Sequence, residues 1–318
     1  MATIGTKSDA ENSLSKMDLK IVKTITQEQW LNVIHTIVDQ LGWNNSESDL
    51  EIWRKKSGRA IGVATRSDYS LPGSEKLSGI GLFYVRPEYR GKDIGKALFQ
   101  AVIDDCAEKK FLYGAMAMWE KYATRSGFSQ IPTWRMLFIS IETSYLDLSS
   151  LEDQHRTDHT DPEFQIKHWR EVDLDSIIKL DLQVTNGMDR RTYMKATLEQ
   201  PKTWTMIATE CQTGDVIGIC RAREVIGDHL DIGPFYATSP KVAGRLLRRT
   251  ITSVPNWRLR SRIDFKPPSN NADAVKLINQ IAREKRKESF LVPQFTHEIV
   301  PMDNALVYSV TETDCTFI

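Results

Sequence analysis

The segment from Leu77 to Glu108 reads LSGIGLFYVRPEYRGKDIGKALFQAVIDDCAE, and the rest of the chain is organised around it. It begins with a nearly continuous apolar run from Ile80 to Val85, whose β-branched and aromatic content is typical of a buried strand. A basic turn follows from Arg86 to Asp93, and it contains both proline and glycine. Apolar residues then recur at the three-and-four spacing of an amphipathic helix, at Ile94, Ala97, Leu98, Ala101 and Val102. The segment therefore predicts a strand, a loop and a helix in direct succession.

The junction of this strand, loop and helix has the chemistry of a phosphate site. The first turn of a helix carries unpaired backbone N–H groups and the positive end of the helix dipole. Gly91 and Gly95 allow an anion to approach the backbone closely, while Arg90, Lys92 and Lys96 add formal charge. The same pattern also fits an ordinary crossover with a solvated basic turn, because short glycine motifs are not specific.

The sequence VRPEYRGKDIGKAL, residues 85–98, resembles the acetyl-CoA signature of the GNAT N-acetyltransferase superfamily, Arg/Gln-x-x-Gly-x-Gly/Ala. Arg90 takes the position of Arg/Gln, and Gly95 takes that of the final glycine. Asp93 stands where the family usually has its first glycine. An acidic side chain there should repel a diphosphate, unless it points outward or pairs with Lys92 or Lys96. A second segment, WEKYATRSGF at 119–128, resembles the helix of the family that ends in Gly-Phe.

The resemblance implies that acetyl-CoA is bound as a cosubstrate and that no metal takes part. In this family a backbone N–H of the central strand stabilises the developing oxyanion, which here corresponds to Tyr84 or Val85. A tyrosine four residues before the glycine of Gly-Phe commonly protonates the leaving thiolate. Ala123 holds that position, so the adjacent Tyr122 is the candidate catalytic acid, with a packed or surface tyrosine as the alternative. The residues expected to bind the cofactor are Phe83, Tyr84, Val85, Arg90, Gly91, Lys92, Asp93, Ile94, Gly95 and Lys96.

The general base is not identified by the sequence, because the central strand from Ser78 to Val85 contains no carboxylate. Arg190 is a candidate for gripping an acceptor carboxylate, or else for a structural ion pair with Asp189 or a neighbour. In GNAT proteins the first helices border the acceptor pocket, so two tryptophans there are candidates for acceptor contact or for core packing: Trp43 and Trp53. Three acids near the expected cleft are candidate bases or solvated, ion-paired acids: Glu75, Glu120 and Asp231.

The second half of the chain repeats the first in outline. The hexapeptide Ile232-Gly-Pro-Phe-Tyr-Ala237 resembles Ile80-Gly-Leu-Phe-Tyr-Val85, and an amphipathic helix follows each. After Ala237 the turn has no glycine pair and no arginine, and Pro240 removes an N–H that a phosphate would need. We expect the second copy to have lost the cofactor and to serve as a lid, a pocket wall or a scaffold. The fold expected is α+β, with tandem GNAT-like domains, each a mixed and mostly antiparallel sheet flanked by helices.

These patterns divide the chain into four parts. One of them, the linker at 144–162, is polar and acidic. It contains His155 and His159, whose i,i+4 spacing fits a metal pair; the alternative is that they are solvated linker residues, because no third ligand is in sight. The four parts are a disordered lead-in at 1–18, a GNAT domain at 19–143, the linker at 144–162 and a divergent GNAT-like domain at 163–318.

The composition is that of an ordinary globular protein with 41% apolar and 26% charged residues. The formal net charge of +0 gives no electrostatic sign of nucleic-acid binding, and no apolar run is long enough to span a membrane. The four cysteines stand singly without metal-ligand spacing, which favours reduced thiols in the cytoplasm or the nucleus.

Two functions follow from the resemblance. The first is an acetyl-CoA-dependent N-acetyltransferase that moves an acetyl group to a primary amine of a small-molecule or amino-acid-like acceptor by direct attack in a ternary complex. The second is a catalytically weak or inactive GNAT-fold module that binds or senses CoA or another ligand. Asp93, the displaced Tyr122 and the missing strand carboxylate favour the second function.

Overall fold

The computed structural model describes residues 2–5, 20–22, 26–41, 44–46, 60–151, 163–282 and 286–313. Its helices are α1 (Gln27–Leu41), α2 (Ile94–Ile103), α3 (Trp119–Arg125), α4 (Leu174–Val184), α5 (Arg191–Glu199), α6 (Pro240–Ser253) and α7 (Ala272–Ile281). Its strands are β1 (Ala2–Gly5), β2 (Lys20–Val22), β3 (Ala60–Ser70), β4 (Lys76–Val85), β5 (Lys109–Ala115), β6 (Met136–Glu142), β7 (Phe164–His168), β8 (Thr203–Glu210), β9 (Val216–Val225), β10 (His229–Ala237), β11 (Arg262–Phe265), β12 (Arg286–Phe295) and β13 (Val307–Ser309). In these ranges no helix has both the length and the apolar character that crossing a membrane requires.

Helix α1 shows how local sequence sets an element. The backbone N–H of Thr26 donates to Gln29 Oε1 at 2.9 Å, and the backbone N–H of Gln29 donates to Thr26 Oγ1 at 3.1 Å. This reciprocal capping box satisfies donors that the first turn would otherwise leave unpaired. The helix then buries one apolar stripe against strands β3 and β4, formed by Trp30, Val33, Ile34 and Ile37.

The described strands form one continuous sheet, in the order β2-β1-β3-β4-β5-β12-β6-β11-β10-β9-β8-β7, with β13 paired to β10. Only the β4–β5 and β10–β11 pairs among these strands are parallel. The mixed, mostly antiparallel character expected from the sequence is therefore confirmed. The two expected sheets are joined edge to edge.

The joint is an exchange of strands between the two halves of the chain. Strand β12, from the second half, lies between β5 and β6 of the first, with Leu291 opposite Ala115. Strand β6 in turn pairs with β11 of the second half, with Ile141 opposite Ile263. An open sheet edge exposes unpaired backbone groups, so the exchange satisfies both edges at once. The two halves consequently share a sheet face, on which a site can be built from both.

Two segments differ from the sequence prediction. Residues 2–5, within the predicted disordered lead-in, form β1 and pair with both β2 and β3, so the prediction is wrong there. The predicted linker is wrong for residues 144–151, because Leu148 is buried and packs into the core of the second half with Leu146 and Leu151 beside it. Four residues named above lie outside the described ranges: Trp43, Trp53, His155 and His159.

Candidate functional site

A cleft opens where strand β4 separates from β5. Their parallel ladder ends at the pair Ile80–Leu112. Beyond that pair β4 stays with β3, whereas β5 continues against β12. A register shift in the β3–β4 ladder and a positive φ of 44° at Leu82 show that β4 bulges at this point. The separation leaves a cavity of about 870 Å³, which runs across the shared sheet face from the β4 side to strands β11 and β9.

The backbone of β4 presents Val85 to this cleft. The N–H of Arg86 donates to Ile61 O on β3 at 2.9 Å. Backbone groups alternate in direction along a strand, so the N–H of Tyr84 also faces β3 and that of Val85 faces the cleft. Consistent with this alternation, Arg90 Nε donates to Val85 O at 2.8 Å. Of the two N–H groups that the sequence left open, that of Val85 is the one that faces the cleft.

The loop before α2 has the left-handed turns that the glycine signature predicts. Gly91 has φ of 74°, and Asp93, the residue before the helix, has φ of 57°. Glycine adopts this conformation without strain, and aspartate is one of the few other residues that tolerate it. The Asp93 side chain is exposed and makes no capping hydrogen bond. Asp93 thus adopts the left-handed backbone conformation for which glycine is usual, and its side chain points outward.

The positions predicted for cofactor binding divide into two groups. Lys92 donates to Glu88 O at 3.2 Å and, like Lys96, is exposed. A Cβ built on Gly95 would lie 3.5 Å from Phe83 and 3.6 Å from Val85, so packing alone does not require glycine there. Those that line the cavity are Phe83, Tyr84, Val85, Arg90, Gly91 and Gly95. Those that belong to the loop or helix without lining it are Lys92, Asp93, Ile94 and Lys96.

Replacing Asp93 with glycine should tighten CoA binding about 2- to 5-fold at low salt, because the exposed carboxylate repels the diphosphate by roughly 0.3–1 kcal/mol. The free energy of unfolding should fall by about 1 kcal/mol or less, since the start of α2 loses a favourable negative charge and glycine adds chain entropy, while left-handed strain is relieved. Calorimetry at two ionic strengths measures the effect. Asp93→Asn, which keeps a residue tolerant of this conformation and removes the charge, should reproduce the gain. Weaker binding in both variants would contradict it.

Tyr122 lies on α3 at the wall of the cavity. Its ring stacks on Phe99, with the centroids 5.4 Å apart and the planes at 23°. Burial raises the pKa of Tyr122 to about 12, so the phenol keeps its proton throughout the neutral range. A protonated hydroxyl at the cavity wall has the chemistry of a proton donor.

The acids that the sequence offered as bases lie elsewhere. Glu75 is half exposed and pairs with Lys109 at 2.5 Å. Glu120 is exposed on α3 and does not line the cavity. Asp231 is fully buried behind the cavity wall, and although burial alone would raise its pKa, Lys266 and Arg223 hold the pKa below its ordinary value. An acid so stabilised in its ionised form is a weak base.

The second half of the chain supplies a polar wall that the sequence analysis missed. Its charged members that line the cavity are Arg223, Arg262, Lys266 and Glu312. The sequence does indicate this wall. Arg262, Asp264 and Lys266 alternate with apolar residues, so they lie on one face of a strand. Charged residues on one face of an otherwise buried strand indicate a polar site. The second copy is therefore a pocket wall, one of the three roles expected for it.

A network of ion pairs fixes this wall. Asp231 is held by Lys266, by Arg223 Nε at 3.2 Å and by Asn44 Nδ2 at 3.1 Å. Asn44 follows α1, so this network joins the first half of the chain to the second over the cavity. Because a buried ion pair must be well hydrogen-bonded to offset its desolvation, these contacts hold the cations in defined positions.

A second carboxylate, that of Asp264, fixes Arg262 in the wall. Asp264 accepts from Arg262 Nε at 3.0 Å and lies 3.3 Å from His229 Nε2. Burial lowers the pKa of His229, and the attraction of Asp264 only partly opposes this, so the imidazole is neutral at pH 7. The negative charge of Asp264 therefore acts mainly on Arg262.

Arg190 has a structural role. It is buried and pairs with Asp181, with Nη2 2.5 Å from Oδ1, and it also donates to Tyr236 Oη at 3.0 Å. The ion-pair interpretation thus applies, with Asp181 as the partner, while Asp189 instead accepts from the N–H of Arg191 at 2.9 Å. Arg190 does not line the cavity, so it does not bind the acceptor there.

The equivalent cleft of the second copy is filled by the chain itself. The β10–β11 ladder ends at Ile232–Phe265, as the first ladder ends at Ile80–Leu112. Strand β13 then pairs with β10, and Ser309 Oγ donates to Ile232 O at 2.6 Å. Helix α6 begins with Ser239 and Pro240, and the side chain of Ser239 caps the N–H of Val242. Both the cleft and the helix terminus are therefore occupied by protein groups, in contrast to the first copy.

Comparisons with known proteins agree with this duplicated architecture. The profile of the acetyltransferase (GNAT) family matches residues 20–125, and that of an acetyltransferase (GNAT) domain matches residues 177–309. Comparison with curated protein sequences gave no significant match.

Solved structures share the fold. A candidate acetyltransferase from Pyrococcus horikoshii is similar over 98% of this chain and 100% of its own, with a TM-score of 0.66 and 14% identity. A tandem GNAT protein from the clavulanic acid biosynthesis pathway is similar over 76% of this chain and 80% of its own, with a TM-score of 0.54 and 11% identity. The matched profiles and the duplicated fold lead to one conclusion: this chain belongs to the GNAT acetyltransferase superfamily and carries two GNAT domains in tandem.

Proposed function

We propose that this protein is an acyl-CoA-dependent N-acyltransferase that uses acetyl-CoA and acetylates a primary amine of a small molecule. The observation that carries the proposal is the cleft between β4 and β5, which connects the uncapped N-terminus of α2 to a polar wall from the second domain. A cavity walled on both sides by one chain favours a small acceptor over a protein side chain.

The residues at the loop fit a CoA diphosphate in shape and charge. The first-turn N–H groups of α2 donate no hydrogen bond to the Asp93 side chain, and Gly95 leaves room for a close approach. Arg90 lines the same part of the cavity and adds positive charge. When bound, acetyl-CoA supplies an acetyl group activated as a thioester.

The chain's own groups then take three of the remaining tasks, while the proton lost by the attacking amine passes to water. We assign the Val85 N–H to the developing oxyanion, since it faces the cleft beside the loop. We assign Tyr122 to protonation of the departing thiolate, because its raised pKa keeps it protonated at neutral pH. The polar wall of the second domain is assigned to the acceptor.

Transfer to an amine is tested by incubating the protein with acetyl-CoA and a broad panel of amines, and by detecting CoA and acetylated product by mass spectrometry. Product detection avoids background from the four cysteines of the chain. The proposal expects turnover with at least one small amine. Absence of product with every amine, at saturating acetyl-CoA, would contradict it.

Tyr122→Phe should lower kcat about 100-fold or more, the usual contribution of a general acid. The KM for acetyl-CoA should stay the same, because the phenylalanine ring can still stack on Phe99. Steady-state kinetics between pH 6 and 9 measure both quantities, and Tyr145→Phe, outside the cavity, serves as the matched control. An unchanged kcat would remove Tyr122 from the mechanism.

One observation favours the second candidate function, a CoA-binding module without turnover. Among the described residues that line the cavity, Glu312 is the only carboxylate, and it pairs with Arg223 at 2.8 Å. Such a pair stabilises the ionised acid and weakens it as a proton acceptor. Calorimetry separates the two functions, since CoA binding together with the absence of product from every amine supports the module.

A further inference from the structure

Building on the proposed function, we propose that the amine acceptor carries an anionic group, a carboxylate or a phosphate, bound by Arg262 and Lys266 at the wall of the second domain. Both side chains line the cavity. Arg262 is the first residue of strand β11 and Lys266 directly follows its last, and the i,i+4 spacing places them on the same face.

Both cations keep donors that their carboxylates do not use. Arg262 gives Nε to Asp264, and its Nη2 lies 3.0 Å from His229 Nε2. No hydrogen bond of its Nη1 is present among the described residues, and a third of its side chain is exposed. Lys266 gives one of its three N–H donors to Asp231, and its Nζ lies 5.7 Å from the centre of the Phe138 ring. A planar guanidinium beside an ammonium suits an oxyanion with two or three oxygens.

The charges of the polar wall and of the residues behind it also favour an anionic ligand. Three cations, Arg223, Arg262 and Lys266, are matched by three acids, Asp231, Asp264 and Glu312. Arg221 is also fully buried nearby and donates to neutral groups, the carbonyl of Gly233 at 2.9 Å and the Gln200 amide. Within the described ranges the cluster therefore has one more positive charge than negative. A buried excess charge is unfavourable until an opposite charge arrives, and an anionic acceptor supplies it.

The wall is also preorganised to bind an anion. Acidic side chains directly behind the cations keep Arg262 and Lys266 fixed, so no rearrangement is needed when an anion binds. The acceptor amine then projects from the wall toward β4, where Val85 and Tyr122 lie along the same cavity. This arrangement selects an acceptor with an amine at one end and an anion at the other.

The test compares acceptors matched in size, with the amine at one end and the varied group at the other: β-alanine, 2-aminoethyl phosphate and propylamine. In the transfer assay, kcat/KM for the amines that carry an anionic group should be at least 10-fold higher than for the amine that lacks one. Below, the amine without an anionic group is called neutral. Whether the carboxylate or the phosphate arm is preferred identifies the source of the anion. Equal or better use of the neutral amine would overturn the proposal.

Variants locate the effect. Arg262→Gln should raise KM for anionic amines at least 10-fold and change that for the neutral amine much less, while Arg262→Lys should restore part of the preference. Arg258→Gln, an exposed arginine in the preceding turn, is the matched control. A similar loss for both kinds of amine, in folded protein by circular dichroism, would contradict the assignment.

The experiment also distinguishes this inference from the proposed function. If no amine is acetylated, calorimetry of the same compounds with CoA-saturated protein decides. Binding of anionic amines that Arg262→Gln weakens would support the anion site although transfer has failed. Binding of no anionic amine, or binding indifferent to Arg262, would overturn the inference.

Discussion

Replacing Asp231 with asparagine is expected to lower the free energy of unfolding by about 3–5 kcal/mol, as removal of one partner from a buried ion pair usually does. Asp231 is 0% exposed, and its two cationic partners, Lys266 and Arg223, are each 2% exposed. The asparagine would leave both cations buried beside a neutral amide. The excess positive charge of the cluster would increase further.

Chemical denaturation followed by circular dichroism measures this loss. The matched control is Asp228→Asn, which removes an exposed acid paired with Arg260 in the adjacent turn. Surface pairs contribute less than about 1 kcal/mol, so the control should be close to wild type. If Asp231→Asn were as stable as this control, the network would not be the support of the polar wall.

Replacing Gly95 with tryptophan is expected to abolish CoA binding while the protein stays folded. A side chain at this position starts at ordinary contact distance from Phe83 and Val85, so the protein itself accommodates the first atom. The large ring must then enter the cavity beside Arg90 and Gly91, where the diphosphate is proposed to lie. Calorimetry should detect no binding, which corresponds to a loss of at least 100-fold in affinity.

The control for Gly95→Trp is Gln100→Trp, a tryptophan at an exposed position of the same helix that does not line the cavity. Gln100→Trp should bind CoA like wild type, and Gly95→Ala should weaken binding to an intermediate degree. Full binding by folded Gly95→Trp protein would show that CoA does not use this helix terminus.

Local sequence patterns predicted the elements that depend on neighbouring residues. The helix at Leu174–Val184 follows the capping residue Asp173, and the capping box joins Thr26 and Gln29, only three positions apart. The central strand and the helix after Asp93 follow from apolar runs with a clear period. These features are encoded within a few residues, so the sequence alone reveals them.

The exchange of strands could not be read from local patterns. Strand β12 begins with three charged residues and contains Pro293, features that usually argue against a central strand. Its place between β5 and β6 is set by pairing with residues 145 to 184 positions away, from Arg286 with Ile141 to Phe295 with Phe111. Periodicity reports which face of an element is apolar, and does not report which edge it joins.

In the candidate site, too, the parts encoded by neighbouring residues were predicted and the parts assembled from distant residues were not. The loop around Gly95 was predicted because a contiguous motif carries it, whereas the polar wall draws single residues from strands β9 and β11 and from the chain near Glu312. Asp231 was considered alone as a base, since its partners lie on other strands, Arg223 8 positions away and Lys266 35 positions away. Only the fold shows that these residues neutralise one another.

The most direct test of the account is a crystal structure of the protein with CoA bound. We predict one CoA per chain, with its diphosphate at the first turn of α2 near Gly95 and its pantetheine arm along Gly81–Val85. The cleft of the second domain should keep β13 in place. Density for CoA between β10 and β11, or none at saturating concentration, would contradict the account.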